Sequence, residues 1–511
     1  MNFQSRIINT FRNTFFGIMS QSILILLNFV TRTIFIKILN ENYLGINGLF
    51  SNILSMLSLV ELGIGSAIIY SMYKPLAEKN EKEISALMNF YKKIYNCIGV
   101  IVTILGLSLI PFLKIIVNNT NNIKNLEFIY ILFLLNTSIS YFFSYKRSII
   151  SADQKEYILS KYRMYFSIIK SILQIIVLYL AKSFILFLFM QILCTFLENI
   201  FVSLEVDKIY PFLRHNKKER ISNKEKNNIM ENVKALTIYK ISGTLLDSTD
   251  NILISSLLNV NLVGLLSNYT LITNSINMIL TQFSSSVTAS VGNYIATENS
   301  KRYEELLLLL TFIQYIFFGF SFVCLATLLN PFLTLWIGKK FLLSYPTVFI
   351  ISLNFFIVGI LSPIWTFRTT MGLFKYGKYR PIFTAIINLG ISIFLGNKIG
   401  IIGILLGTTI SRIVTNVWFD PYIVYKYGLK ENFTKYLKKL GIYFIICIID
   451  IILINYFISF LNSNIIGFIF SIIVNIIVFS FSNLFLYRTY EFKYVIAKVK
   501  SIISKKGKKL I

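Results

Sequence analysis

Apolar runs long enough to cross a membrane recur along the whole 511-residue chain and leave little room for anything else. A helix needs roughly 20 residues, at about 1.5 Å rise each, to cross a hydrocarbon core of about 30 Å. That window places fourteen spans, near 14–39, 45–72, 94–117, 126–145, 164–181, 183–205, 236–258, 262–292, 306–330, 345–369, 381–397, 399–424, 441–460 and 465–487. The connections around Lys182 and Lys398 are very short, so twelve is the alternative count. The fold class is all-α integral membrane. Composition agrees: 55% hydrophobic and 14% charged residues give too little polar surface for a soluble protein of this size.

Charge placement tests the topology independently. Eight segments fall on one side: the N-terminal tail, 73–93, 146–163, 206–235, 296–305, 370–380, 425–440 and the tail from Arg488. They hold 38 of the 50 Lys and Arg, whereas the opposite side holds six, counting Lys114 at the outer end of the third span with the seven opposite loops. The Ile, Asn and Lys richness resembles the codon bias of an AT-rich genome, but such bias cannot sort charge by side. The positive-inside rule does, and it puts both termini in the cytoplasm. Arg6 and Arg12 precede the first apolar run without a small-residue cleavage site, so that run reads as a retained span. The net charge of +27 raises nucleic acid as a partner, yet no basic stretch reads as a folded soluble module.

The outer connections are all short, which excludes a substantial external domain. The largest soluble piece, from Asp207 to Lys234, splits the first twelve spans six and six. The organisation is therefore an N-lobe at 1–206, a basic cytoplasmic linker at 207–235 and a C-lobe at 236–424. Two extra spans follow at 425–487 and a basic tail at 488–511. YLGINGLFSNI at 43–53 aligns with LVGLLSNYTLI at 262–272, matching Gly45 with Gly264, and the same offset lays AEKNEK over ATENSK. Two six-helix bundles of one orientation are related by an axis along the membrane normal, a common transporter plan.

Charged residues stand where lipid should be: Arg32, Glu61, Lys170, Glu198, Lys240, Asp247, Asp250 and Arg412. Each costs about 2.5–3.5 kcal/mol at the bilayer centre on insertion scales, so they must line a watery cavity or pair with one another. Helical spacing favours the cavity. Lys240, Gly243, Thr244, Asp247, Asp250 and Asn251 form one polar stripe of the seventh span. Comparable stripes run through Gln21, Asn28 and Arg32; through Arg163, Ser167, Lys170 and Gln174; through Gln191, Thr195 and Glu198; and through Thr408, Ser411, Arg412, Thr415 and Asn416. Stripes in both halves point to a polar chamber between two bundles. The last two spans lack such stripes and read as peripheral.

Blander roles stand beside these. Arg32 and Arg412 fit either ligand contact or pairing with Glu61 or Asp247. Lys37 lies near the outer end and snorkels, whereas Lys240 and Arg368, at the cytoplasmic boundary, either snorkel or face inward. Gly400, Gly403 and Gly407 suit close helix packing. Cys97, Cys194, Cys324 and Cys447 are scattered singly, and His215 lies in a basic loop without metal partners, so no metal or disulfide framework emerges. No nucleotide-binding G-x-x-x-x-G-K-[ST] and no H-E-x-x-H occurs, so transport without covalent chemistry is the better class and no enzyme is expected.

YLGINGLFSNILSMLSLVELGIGSAIIYSMYKPLAEKNEKEI, from Tyr43 to Ile84, and DSTDNILISSLLNVNLVGLLSNY, from Asp247 to Tyr269, carry a resemblance. They are similar to the polysaccharide-biosynthesis exporters of low-GC Gram-positive bacteria. These belong to the multidrug/oligosaccharidyl-lipid/polysaccharide exporter superfamily. The resemblance implies a flippase of the bacterial cell membrane that moves an undecaprenyl-diphosphate-linked oligosaccharide from the inner to the outer leaflet. It also implies a cationic lumen for the diphosphate, for which Arg32 and Arg412, helped by Lys170 and Lys240, are the matching cations here. Glu61, Asp247, Asp250 and Glu198 then pair charge or bind a coupling Na⁺ or H⁺, and no other cofactor is expected. Membrane lipid and other polysaccharide-assembly membrane proteins are the partners this reading brings. A cation-coupled small-molecule exporter of the multidrug branch is the alternative.

Overall fold

The computed structural model describes residues 3–39, 41–61, 64–117, 125–216, 219–223, 225–227, 229–230, 233, 249–297, 302–373, 376–377, 379–460 and 464–507. All regular structure among them is helical. Eleven helical segments of the described residues are long and apolar enough to cross a membrane, and each coincides with a predicted span. Three of the fourteen predictions fall outside that set. Span 45–72 is interrupted: α2 (Glu41–Leu57) gives way to a 3₁₀ turn over Ser58–Glu61, and α3 (Ile64–Glu78) follows. Span 236–258 lies largely outside the described residues. Span 262–292 is one continuous helix, α8 (Val260–Thr297).

Both short connections are genuine turns. Lys182, in the left-handed region at φ 47°, separates α6 (Glu156–Ala181) from α7 (Phe184–Ile209). Gly400, at φ 65°, separates α13 (Arg380–Ile399) from α14 (Ile401–Arg412). A positive φ suits glycine there.

The chain divides into two compact units, Met1–Gly264 and Leu265–Ile511. In the first, α1 (Phe3–Ile38) runs along α6, α6 packs on α7, α7 on α5 (Leu126–Ala152), and α5 on α4 (Glu81–Ser108). The start of α1 lies beside the start of α6, because the Asn13 amide donates to the Gln154 carbonyl at 2.8 Å and Asn13 Oδ1 accepts from the Tyr157 N–H at 2.7 Å. The two helices therefore run parallel, as two spans rising from the same side must. Gly45 allows α2 to meet the start of the Val260 helix so closely that a Cβ would run into the Val260 carbonyl.

In the second unit, α9 (Tyr303–Gln314) and α10 (Phe320–Trp336) are joined through a π-helical turn, Tyr315–Gly319. Then come α11 (Tyr345–Ile360), α12 (Ser362–Thr370), the α13–α14 hairpin and α15 (Phe419–Ile423). The last two spans, α16 (Thr434–Ile458) and α17 (Ile465–Ser482), pack on α10, and α18 (Tyr490–Gly507) follows. Gly403 and Gly407 press backbone to backbone against Leu395, Gly396 and Ser392 of α13, with no room for a Cβ, so their packing role is realised.

Candidate functional site

The first unit carries a ladder of charge from a cleft up into its spans. The cleft has a volume of about 620 Å³. Lys92 and Lys93 of α4, Lys146 of α5, Asp207 at the end of α7 and Arg214 in the short helical turn Phe212–His215 line it. Asp207 accepts from Lys146 Nζ at 2.6 Å and faces Arg214 at 3.5 Å. One step along, Arg147 donates to Glu198 Oε1 and to Asn199 Oδ1, each at 2.9 Å. Glu198 in turn lies within electrostatic reach of Lys170 on α6. Four cations thus line the cleft, two of them on its one carboxylate, and two more share Glu198 above it.

Arg147 was not legible as part of this set, because the hydropathy window ends its span at 145 whereas α5 continues to Ala152. Lys170 and Arg32 are half-buried on the packed helices α6 and α1. Lys37 is exposed in the last turn of α1. Ser167 and Gln174, read as stripe partners of Lys170, are instead buried, and the Gln174 amide donates to the Phe187 carbonyl across the α6–α7 turn.

Glu61 sits on the 3₁₀ turn where the second span is broken. Its Oε1 accepts from the Tyr95 hydroxyl at 3.0 Å, and Tyr141 lies alongside. A carboxylate at a helix break has no ladder bond to disturb, and tyrosines from α4 and α5 can approach it. Discontinuous spans are where membrane carriers place ion and substrate groups.

Asp250 is half-buried in the helical segment 249–257, and Lys240 and Asp247 lie outside the described residues. Arg412 is half-buried in the second unit, at the last residue of α14. Its stripe neighbours behave differently from a chamber wall. Thr408, Ser411, Thr415 and Asn416 are all buried. Asn388 of α13 donates to Thr408 at 2.9 Å, and the Thr384 hydroxyl donates to Thr415 at 2.7 Å. That stripe is a hydrogen-bonded seam between two helices. Periodicity alone cannot tell such a seam from a wet wall.

Arg368 does not snorkel. It is 2% exposed, and its Nη1 donates to Asp420 Oδ1 at 2.6 Å while its Nη2 donates to the Tyr376 carbonyl at 2.7 Å. Asp420 also accepts from Arg380 Nη1 at 2.6 Å and from the Trp365 indole at 3.0 Å. This network ties α12, α13 and α15 together. Among the described residues no group of three or more His, Cys, Asp or Glu is placed to hold a metal ion.

Neither protein-family models nor curated proteins match the sequence. Solved structures do match the fold. The lipid II flippase MurJ in its inward closed conformation superposes with a TM-score of 0.66 at 16% identity, over 93% of this chain and 98% of that one. An inward-facing multidrug resistance MATE family transporter of the MOP superfamily gives 0.57 at 14% identity, over 80% and 95%. A MATE transporter of Vibrio cholerae gives 0.57 at 12% identity, over 84% and 98%. The chain therefore has the all-helical, multi-pass membrane fold shared by MurJ and MATE proteins.

Proposed function

We propose that the chain is a flippase that carries a polyprenyl-diphosphate-linked oligosaccharide, a precursor of cell-surface polysaccharide, from the inner to the outer leaflet by alternating access. The observation that carries this reading is the cationic ladder of the first unit. Lys146 and Arg214 hold one aspartate at its mouth, where Lys92 and Lys93 line the same cleft, with Arg147 and Lys170 sharing Glu198 above. A lipid diphosphate cannot enter hydrocarbon bare, and fixed cations in a low-dielectric setting compensate it. Guanidinium groups add bidentate hydrogen bonds to phosphate oxygens. The near-complete structural coverage of the lipid II flippase MurJ supports the same reading.

In proteoliposomes, a fluorescent undecaprenyl-diphosphate oligosaccharide should become accessible in the opposite leaflet only when the protein is present. Arg32→Ala and Lys170→Gln should each stop this while leaving the protein inserted. The second reading, a cation-coupled small-molecule exporter, draws on the likeness to MATE transporters. It is favoured if the same liposomes instead move organic cations in response to a Na⁺ or H⁺ gradient and leave the lipid-linked sugar in place.

A further inference from the structure

The last two spans hold a carboxyl that neither the charge stripes nor the proposed substrate path uses. Asp450 is fully buried in α16. It lies on a face with Tyr443, Cys447 and Ile454, at the spacing of one helical stripe. Its Oδ2 accepts from the Ser482 hydroxyl at 2.9 Å. Its Oδ1 is enclosed and has no hydrogen-bond partner among the described residues. Two neighbouring polar atoms are in the same condition. Asn483 Oδ1 is enclosed without a donor, and the Tyr315 hydroxyl, beside Asn483 and within electrostatic reach of Asp450, lacks a well-formed hydrogen bond.

Among the described residues, no positive charge faces this cluster from the elements packed on α16. The π-helical turn Tyr315–Gly319 contributes Tyr315 as its sole titratable group, and α10 contributes only Cys324. Neither α17 nor the following turn, Asn483–Leu486, carries a titratable side chain. On α16 itself the titratable groups nearby are Cys447 and Tyr443. The ion pair of Lys439 with Glu491 lies about three turns away along α16.

A bare carboxylate buried with one hydroxyl donor and no counter-charge is a costly arrangement, whereas a proton on Oδ1 removes the charge and supplies the missing donor. A hard metal cation would want six or more oxygens in the calcium and magnesium manner, and four side-chain groups are gathered here. We propose that Asp450 is a proton-binding site. Its neutral carboxyl latches α16 and α17 to the π-helical turn, a type of irregularity frequent at functional sites. The proposal stands apart from the identity of the transported substrate.

Infrared spectroscopy of the purified full chain in lipid nanodiscs at neutral pH tests it. Exposed carboxyls are ionised there, so the wild type should show a protonated-carboxyl C=O band that shifts in D₂O. Asp450→Asn should lose the band, and Asp450→Glu should move it, which keeps the test decisive if the Asn variant does not fold. Exchange of Na⁺ for choline should leave it unchanged. A wild type without such a band, a band that both variants retain unaltered, or a band abolished by Na⁺ alone would each overturn the proposal. The last would make the site a cation site.

Discussion

Two buried aspartates show how differently one residue type can be held in the same unit. Asp420 binds two guanidinium groups and an indole, whereas Asp450 has a single hydroxyl. Removing the charge from Asp420 leaves Arg368 buried and uncompensated, which for such pairs costs about 3–5 kcal/mol. Asp420→Asn should therefore lower the melting temperature of the detergent-solubilised protein far more than Asp450→Asn does, as read by tryptophan fluorescence. Neither aspartate was legible as a site residue. Polar stripes are recognised from several polar groups on one helix, but Asp420 takes its partners from α12 and α13. Asp450 stands alone in the run IIDII, where only packing from other helices gives it neighbours. Glu61 was conspicuous for the opposite reason, as a charge in an apolar stretch. Its tyrosine neighbours come from α4 and α5, 34 positions away for Tyr95, and no local pattern announces them.

At the scale of elements, hydropathy located the spans well because the cost of exposing polar groups to hydrocarbon acts over a whole helix. It is blind to breaks within a span. The 3₁₀ turn at Ser58–Glu61 and the π-helical turn at Tyr315–Gly319 leave the apolar run intact while redirecting its side chains. Small residues gave a better guide, because close packing of two helices in lipid depends on them. The α13–α14 hairpin depends on Gly407, whose missing Cβ lets Ser392 sit against the α14 backbone and donate to the Ile404 carbonyl at 3.0 Å. Gly407→Val should force the two helices apart and break this bond, an overpacking cost of about 1–3 kcal/mol. Crosslinking yield between cysteines introduced at Asn388 and Thr408, whose side chains now share a 2.9 Å hydrogen bond, should fall in that variant.

For the whole molecule, the asymmetry of Lys and Arg makes an orientation prediction that hydropathy cannot make. Single cysteines at Asn223 and Ser504 should resist a membrane-impermeant thiol reagent in sealed cells and react after lysis, while one at Asn119 should react from outside. Labelling of Asn223 or Ser504 from outside would invert the scheme. On the proposed flippase reading, that orientation in turn fixes the energetics of export. An inside-negative potential favours outward movement of negative charge by about 2.3 kcal/mol per elementary charge per 100 mV. The gain shrinks if cations such as Arg32 and Lys170 move with the proposed diphosphate substrate, and no nucleotide-binding motif exists in the sequence to supply the difference. A carboxylate that takes up Na⁺ or H⁺ outside would reset the empty carrier. Asp247 is the residue for which we predict this role, since its sequence position lies nearest mid-span on the stripe from Lys240 to Asn251. In proteoliposomes, flipping should respond to an imposed Na⁺ or pH gradient. Asp247→Asn should abolish that response while substrate binding persists. If the Asn variant still follows both gradients, the reset is carried by another group, and Asp247 only orients its neighbours on the stripe.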